Sequence, residues 1–275
     1  MTLPPVLRGA RAATTFLTRV PVGGFPYAEA DWRWASAWFP FVGAGLGAVQ
    51  AAAWLLVDRG GALVAASVVV ALGLLLTGAF HEDGLADTAD ALGGAFDRAR
   101  LFEILKDSRI GAFGAAALIV VLVLRIALLA RLDAAAPVAL VLTQCLSRVP
   151  PIWLMVALPY VTQGGSRSRP VAQAALPQAL LGSVWPALSL AVAHAAGAVS
   201  AAEAAAMLGA ASKRCSRSAG PDAPRVEAAR VAAAAAICGL RFRARAGGIT
   251  GDFLGATQQI VDCAALLALA LARGG

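Results

Sequence analysis

Residues 34–57 read WASAWFPFVGAGLGAVQAAAWLLV, 24 consecutive positions without a charged side chain. A helix crosses the hydrocarbon core of a bilayer in roughly 20 apolar residues, so this segment is long enough to span. The next run, residues 60–80, is uncharged over 21 positions. Working outward, five further stretches repeat the pattern: 110–130, interrupted by Arg125; 134–161, interrupted by Arg148; 171–200; a stretch centred on 231–240; and 253–272, interrupted by Asp262. The runs are continuously apolar and rich in Ala and Leu, whereas barrel strands alternate polar and apolar residues. The pattern predicts an all-α fold, a polytopic integral membrane helical bundle of about seven transmembrane helices, within a range of six to eight.

Composition agrees. Of 275 residues, 59% are hydrophobic and 14% charged, and mean hydropathy is +0.74, against about 25% charged residues in an average soluble domain. The net charge of +7 is carried mostly by arginine. In this setting it reads as basic loops held at a cytoplasmic surface and against anionic lipid, which leaves nucleic acid out as a partner. Cys145, Cys215, Cys238 and Cys263 are scattered, without CxxC or Cys/His spacing, and read as small core residues. The first 20 residues place Arg8, Arg11 and Arg19 around an apolar stretch broken by prolines, which predicts an uncleaved amphipathic helix. Hinges such as 58–61 and 131–133 are too short to hold a separate module, so residues 1–275 read as one transmembrane enzyme domain. Residues 200–223, with Lys213, Arg214 and Arg217, read as a surface loop or interfacial helix.

Chemistry concentrates in FHEDGLADTADALGG at residues 80–94. Asp83, Asp87 and Asp90 stand at i, i+4 and i+7, so a helix presents all three carboxylates on one face. Like charges at that spacing repel. Beside a membrane such a row is costly unless a cation neutralises it, and hard oxygen ligands select Mg²⁺ or Ca²⁺. The competing reading is a solvated acidic turn. Against it, three of the 16 acidic residues share one face within eight positions, with Glu82 beside them. Downstream, Lys106-Asp107-Ser108-Arg109 supplies two cations for a phosphate ester and a further carboxylate. A third block, AGGITGDFLGA at residues 246–256, offers glycines for close backbone approach, the Thr250 hydroxyl, and Asp252 at the head of the last span.

HEDGLADTAD, LKDSRIGAFGA and GGITGDFLGA, together with FLTRVPV at 16–22 and FPFVGAGLG at 39–47, strongly resemble the signature blocks of the cobalamin synthase (adenosylcobinamide-GDP ribazoletransferase) family, in the same order. The chain departs from that pattern at Glu82, where the family usually has leucine, and at Ala91, where glycine is common. The resemblance implies an inner-membrane, multi-pass enzyme with its active site facing the cytoplasm. It implies Mg²⁺ as cofactor, and transfer of adenosylcobinamide phosphate from adenosylcobinamide-GDP to α-ribazole or its 5′-phosphate, with release of GMP. It marks His81, Asp83, Asp87, Asp90, Asp107 and Asp252 as catalytic candidates, and Asp83, Asp87, Asp90 and Asp107 as metal ligands. Lys106, Arg109, Arg148, Arg167, Gly248 and Thr250 are the candidates for substrate contact. Expected partners are the two substrates, membrane lipid, and a second copy of the chain or other late enzymes of the cobalamin pathway.

One site using both Asp83 and Asp252 requires the two on the same side of the membrane, hence an even number of spans between them; two spans before Asp83, four between and one after Asp252 give seven. Two rivals share part of this chemistry. A CDP-alcohol phosphotransferase also carries helix-borne aspartates and Mg²⁺, but its DGxxAR pattern fails here because Asp87 follows Ala86. A cation-coupled transporter would hold its carboxylates in mid-span, whereas these cluster at span ends beside basic residues.

Overall fold

The computed structural model describes residues 3–162, 171–172, 174–200, 203 and 223–273, and for 223–231 the backbone only. The described chain is helical, without strands; its one extended pairing is an isolated bridge between Tyr160 and Ile249. The helices are α1 (Pro5–Leu17), α2 (Glu29–Ala35), α3 (Phe39–Val57), α4 (Ala62–Thr77), α5 (Phe80–Gly94), α6 (Arg98–Ile104), α7 (Ala112–Leu132), α8 (Ala136–Leu146), α9 (Val149–Ala157), α10 (Leu176–Ala195), α11 (Ala223–Ala246) and α12 (Gly251–Ala272). Each apolar run has become helix, because in lipid every backbone N–H and C=O must find a partner within its own segment.

Side-chain contacts give the direction of each pass. A Cβ on Gly43 or Gly47 of α3 would collide with the carbonyls of Gln144 and Leu140 of α8, so these two helices run antiparallel in close contact, the kind of approach that small residues permit. Gln50 of α3 donates to the Val69 carbonyl of α4 (2.8 Å). The chain reverses after α7 at Asp133, whose φ is 45°, and α8 returns beside α12, where Gln258 donates to Ser147 (2.9 Å). Gly182 of α10 lies against Ile152 and its Ser189 against Cys145, so α10 runs opposite to α8 and α9. Phe242 near the end of α11 stacks on Phe253 near the start of α12, centroids 4.2 Å apart. Among the described residues the bundle thus has seven alternating passes: α3, the bent pair α4–α5, α7, α8–α9, α10, α11 and α12.

By length and apolarity four stretches qualify as membrane spans, Glu29–Gly60, Ala112–Ala157, Leu176–Ala195 and Gly251–Ala272, or five with the bent pair. The sequence expectation was about seven. The numbers differ for physical reasons. Ala112–Ala157 contains the reversal at Asp133 and so two passes, and α11 carries charges at both ends. The central helix is α12, buried along most of its length, while Leu55, Leu56, Leu75, Val120, Val123 and Val192 face outward, as lipid-facing positions do. The amphipathic helix expected at the beginning is α1, which turns Ala12, Ala13 and Leu17 inward and leaves Arg11 exposed. Cys145, Cys238 and Cys263 are free and buried; Cys215, and most of the segment 200–223, lie outside the described residues.

Candidate active site

The acidic block forms a helix of its own. After Thr77 the chain passes through two left-handed residues, Gly78 (φ 68°) and Ala79 (φ 57°), and α5 leaves at 90° to α4. Glycine adopts that conformation freely, but alanine does so at a cost, so the break is held by its surroundings; the Arg19 side chain packs on Gly78. The break separates α5 from the hydrogen-bond ladder of α4 and lays it across α12. There Gly84 sits directly on the backbone of Asp252: a Cβ in its place would stand 2.9 Å from the Asp252 carbonyl oxygen. One turn earlier on α5, His81 meets Gly255, whose Cβ would lie 3.4 Å from the His81 Cα. Two sequence blocks separated by most of the chain are therefore in contact at one end of the bundle.

Asp83 is exposed, and Asp87 and Asp252 are half-buried. Asp83, Asp252 and Asp90 all lie within electrostatic range of Asp87, and Asp83 lies within range of Asp252. None of the described ion pairs involves Asp83, Asp87 or Asp252. Hard oxygens crowded without a counter-charge suit a divalent cation. Among the described residues no three acidic, histidine or cysteine side chains already converge at metal-ligand spacing.

The remaining site candidates fall into separate places. Asp90 is buried and accepts hydrogen bonds from the backbone N–H groups of Gly111 (2.7 Å) and Gly114 (2.9 Å) at the start of α7, so both of its oxygens cap that helix. Asp107 pairs with Arg109, Arg109 Nη2 lying 2.6 Å from Asp107 Oδ2. Hydrogen bonds from the Arg109 side chain and backbone hold the Asp107 carboxyl down at about 2, and the carboxylate in turn raises Arg109. Lys106 is exposed on the same loop. His81 is buried on the side of α5 opposite the carboxylates. It lines a cavity together with Phe16, Phe39, Phe80, Arg148, Gln258 and Gly251. Arg148 is buried and donates to the Gln144 carbonyl (2.6 Å).

Gly248 and Thr250 shape the backbone leading into Asp252. Ile249 N–H donates to the Pro159 carbonyl and Val161 N–H to the Ile249 carbonyl, both at 2.9 Å, and a Cβ on Gly248 would collide with the Pro159 carbonyl. Thr250 caps α12, accepting from Phe253 N–H (3.3 Å). Arg167 lies outside the described residues.

Two features escaped the sequence reading. Arg98 of α6 packs on Gly247, and Arg245 donates to the Ala95 carbonyl (2.6 Å), which puts two guanidinium groups at the end of the bundle where α5 finishes and α12 begins. Deeper, a buried polar network joins three helices. Arg125 of α7 reaches Glu82 of α5 (3.2 Å) and Asp262 of α12 (3.1 Å), and Gln259 donates to Glu82 (2.9 Å). The interruptions at Arg125 and Asp262 were the visible signal, since opposite charges in two apolar spans have good reason to pair.

These features define an all-α membrane protein with an uncompensated carboxylate face at one end of its bundle and basic side chains around it. The chain belongs to the cobalamin-5-phosphate synthase family, whose profile matches residues 9–270. Curated relatives agree. A protein of Leptothrix cholodnii named adenosylcobinamide-GDP ribazoletransferase is 38% identical over 263 residues, covering 93% of this chain and 92% of its own. One of the same name from Albidiferax ferrireducens is 40% identical over 273 residues, covering 93% and 95%. A third, from Vibrio cholerae, is 42% identical over 167 residues, covering 58% and 64%. No solved structure matches.

Proposed function

We infer that the protein carries out the reaction for which these relatives are named, joining α-ribazole or its 5′-phosphate to adenosylcobinamide-GDP. A ribazole hydroxyl oxygen bonds to the phosphorus that carries cobinamide, the bond from that phosphorus to the bridging oxygen breaks, and GMP leaves with the bridging oxygen. The hydroxyl proton passes to a base or to water. The observation that carries this reading is the contact between Gly84 and Asp252, which brings Asp83 and Asp87 to the start of α12.

Asp83, Asp87 and Asp252 would hold Mg²⁺, which when bound neutralises negative charge on the pyrophosphate and on the departing phosphate. The chain's own contribution is placement. Gly84 permits the close crossing of α5 and α12, and the Pro159–Val161 and Gly248–Thr250 segments fix where Asp252 emerges. Lys106, Arg109, Arg98 and Arg245 offer cations to the diphosphate from the rim. Asp90 and Asp107 already have partners, Asp90 in the cap of α7 and Asp107 in its pairing with Arg109. His81 faces away from the acids and belongs to the wall of the apolar cavity. A water-soluble nucleotide substrate fits a carboxylate face open to the cytoplasm, with the bundle in the inner membrane.

The experiment is direct. Purified protein in detergent or lipid, given adenosylcobinamide-GDP, α-ribazole and Mg²⁺, is expected to yield GMP and adenosylcobalamin in equal amounts by mass spectrometry. Folded protein that yields neither would sink the reading.

A further inference from the structure

Helix α5 is fastened to α7 at two points, one on each side of Asp83 and Asp87. At its far end Asp90 caps the first turn of α7. At its near end Glu82, 6% exposed, meets Arg125, 4% exposed, and Gln259. Arg125 in turn lies 3.1 Å from Asp262, which is fully buried. We propose that Glu82 and Arg125 are positioning residues: their buried pair, with the Asp90 cap, fixes the rotation and depth of α5 so that Asp83 and Asp87 stand against Asp252.

Three observations carry this. The 90° break at Gly78 and Ala79 takes away the continuous helix that would otherwise orient α5, so its lateral contacts must do so. Glu82 and Asp83 are consecutive, about 100° apart around the helix. Turning Glu82 inward onto Arg125 therefore directs Asp83 away from the interior, and Asp83 is exposed. Finally, a buried ion pair is weak evidence of stability, since apolar side chains of similar volume often serve as well. Glu82 Oε2 and Asp262 Oδ1 even lack hydrogen-bond partners. Charges kept at such cost in an apolar bundle point to a functional requirement, and the nearest one is the register of the neighbouring acid face.

The proposal rests on the reading of the site given above, so its test has an arm that needs no turnover. Wild type, Glu82→Gln, Arg125→Lys and Arg125→Gln are compared in detergent by amide hydrogen exchange and by kinetics per folded molecule. Glu82→Gln and Arg125→Gln are expected to speed exchange in residues 80–94 while α10 and α12 keep their protection. They are also expected to lower kcat roughly 10- to 100-fold, as misplacement of a site does, with little change in KM. Arg125→Lys, which keeps the cation, should recover part of the rate.

Unchanged kcat and exchange, or exchange that speeds equally throughout the bundle, would overturn the proposal. If a single variant does not fold, Glu82→Gln/Arg125→Gln, which removes one charge of each sign, takes its place. It is expected to fold and stay slow, and wild-type turnover in it would also be decisive against the proposal. Should the wild type itself show no ribazole transfer, only the reaction assignment falls. The exchange pattern still decides whether Glu82 and Arg125 hold α5.

Discussion

Gly84 of α5 rests on the main chain of Asp252, with room for a hydrogen but not for a methyl group, 2.9 Å separating an ideal Cβ from the Asp252 carbonyl oxygen. A larger residue there must push α5 and α12 apart. Gly84→Val is expected to lower thermal stability by about 1–3 kcal/mol, the usual cost of overpacking, and to depress turnover further than the lost folded fraction explains. Differential scanning fluorimetry beside a rate measurement separates the two effects. Wild-type activity in a folded Gly84→Val protein would show that the close crossing is dispensable.

The Asp90 cap should behave as a stability element. Asp90→Ala removes the acceptor for two N–H groups at the start of α7 and is expected to cost about 0.5–2 kcal/mol. Gly114→Ala attacks the same joint from the other side, because a Cβ there would meet the Asp90 carboxylate and the Ala86 carbonyl. Both variants should lower the unfolding midpoint in detergent. A midpoint unchanged in both would remove the cap from the account.

Asp107 and Arg109 make a pH statement with a definite sign. The Asp107 carboxyl is held at about 2, below the ordinary aspartate value of about 3.9. Whatever the pair contributes is fully present above the ordinary value and is lost as pH falls toward 2. Because the pair is exposed, Asp107→Asn should leave the unfolding midpoint between pH 5 and 8 unchanged. Carboxyl chemical shifts of labelled aspartate are expected to show Asp107 titrating at about 2. If Asp107 titrates near 4, the Arg109 contact does not persist in solution.

Three of the four cysteines are buried and free. A maleimide added to folded protein is expected to label at most one thiol per chain, with the others reacting only after unfolding. Rapid labelling of Cys145, Cys238 or Cys263 in folded protein, located by peptide mapping, would contradict the packing around α8, α11 and α12.

Much of this architecture was legible in the residues. The 24-residue run at 34–57 became α3 with the helical turns leading into it, and the requirement that the Asp83 and Asp252 blocks share one end of the bundle could be stated from the sequence before the contact of Gly84 with Asp252 was visible. Spacing could not show which carboxylates are already occupied. Asp90 lies on the same helical face as Asp83, yet the backbone of α7, which comes later in the chain, engages both its oxygens. Helix period likewise placed Glu82 beside the acidic row without revealing its partner. Arg125 and Asp262 are where apolar spans are interrupted, and both converge with Glu82 in one buried network. The bend at Gly78 and Ala79 was hidden for a different reason. It depends on an alanine in a left-handed conformation, which propensity does not anticipate.

The most direct measurement of the central claim, that two distant blocks build one site at one end of the bundle, is turnover by Asp83→Asn and Asp252→Asn beside wild type. All three are quantified as folded protein at saturating Mg²⁺ and substrates. Both variants are expected to insert and fold normally and to lose ribazole transfer by a factor on the order of 100 or more, the scale of losing a group that stabilises charge in the transition state. Wild-type turnover in either folded variant would mean that the meeting of α5 and α12 is not where the chemistry happens.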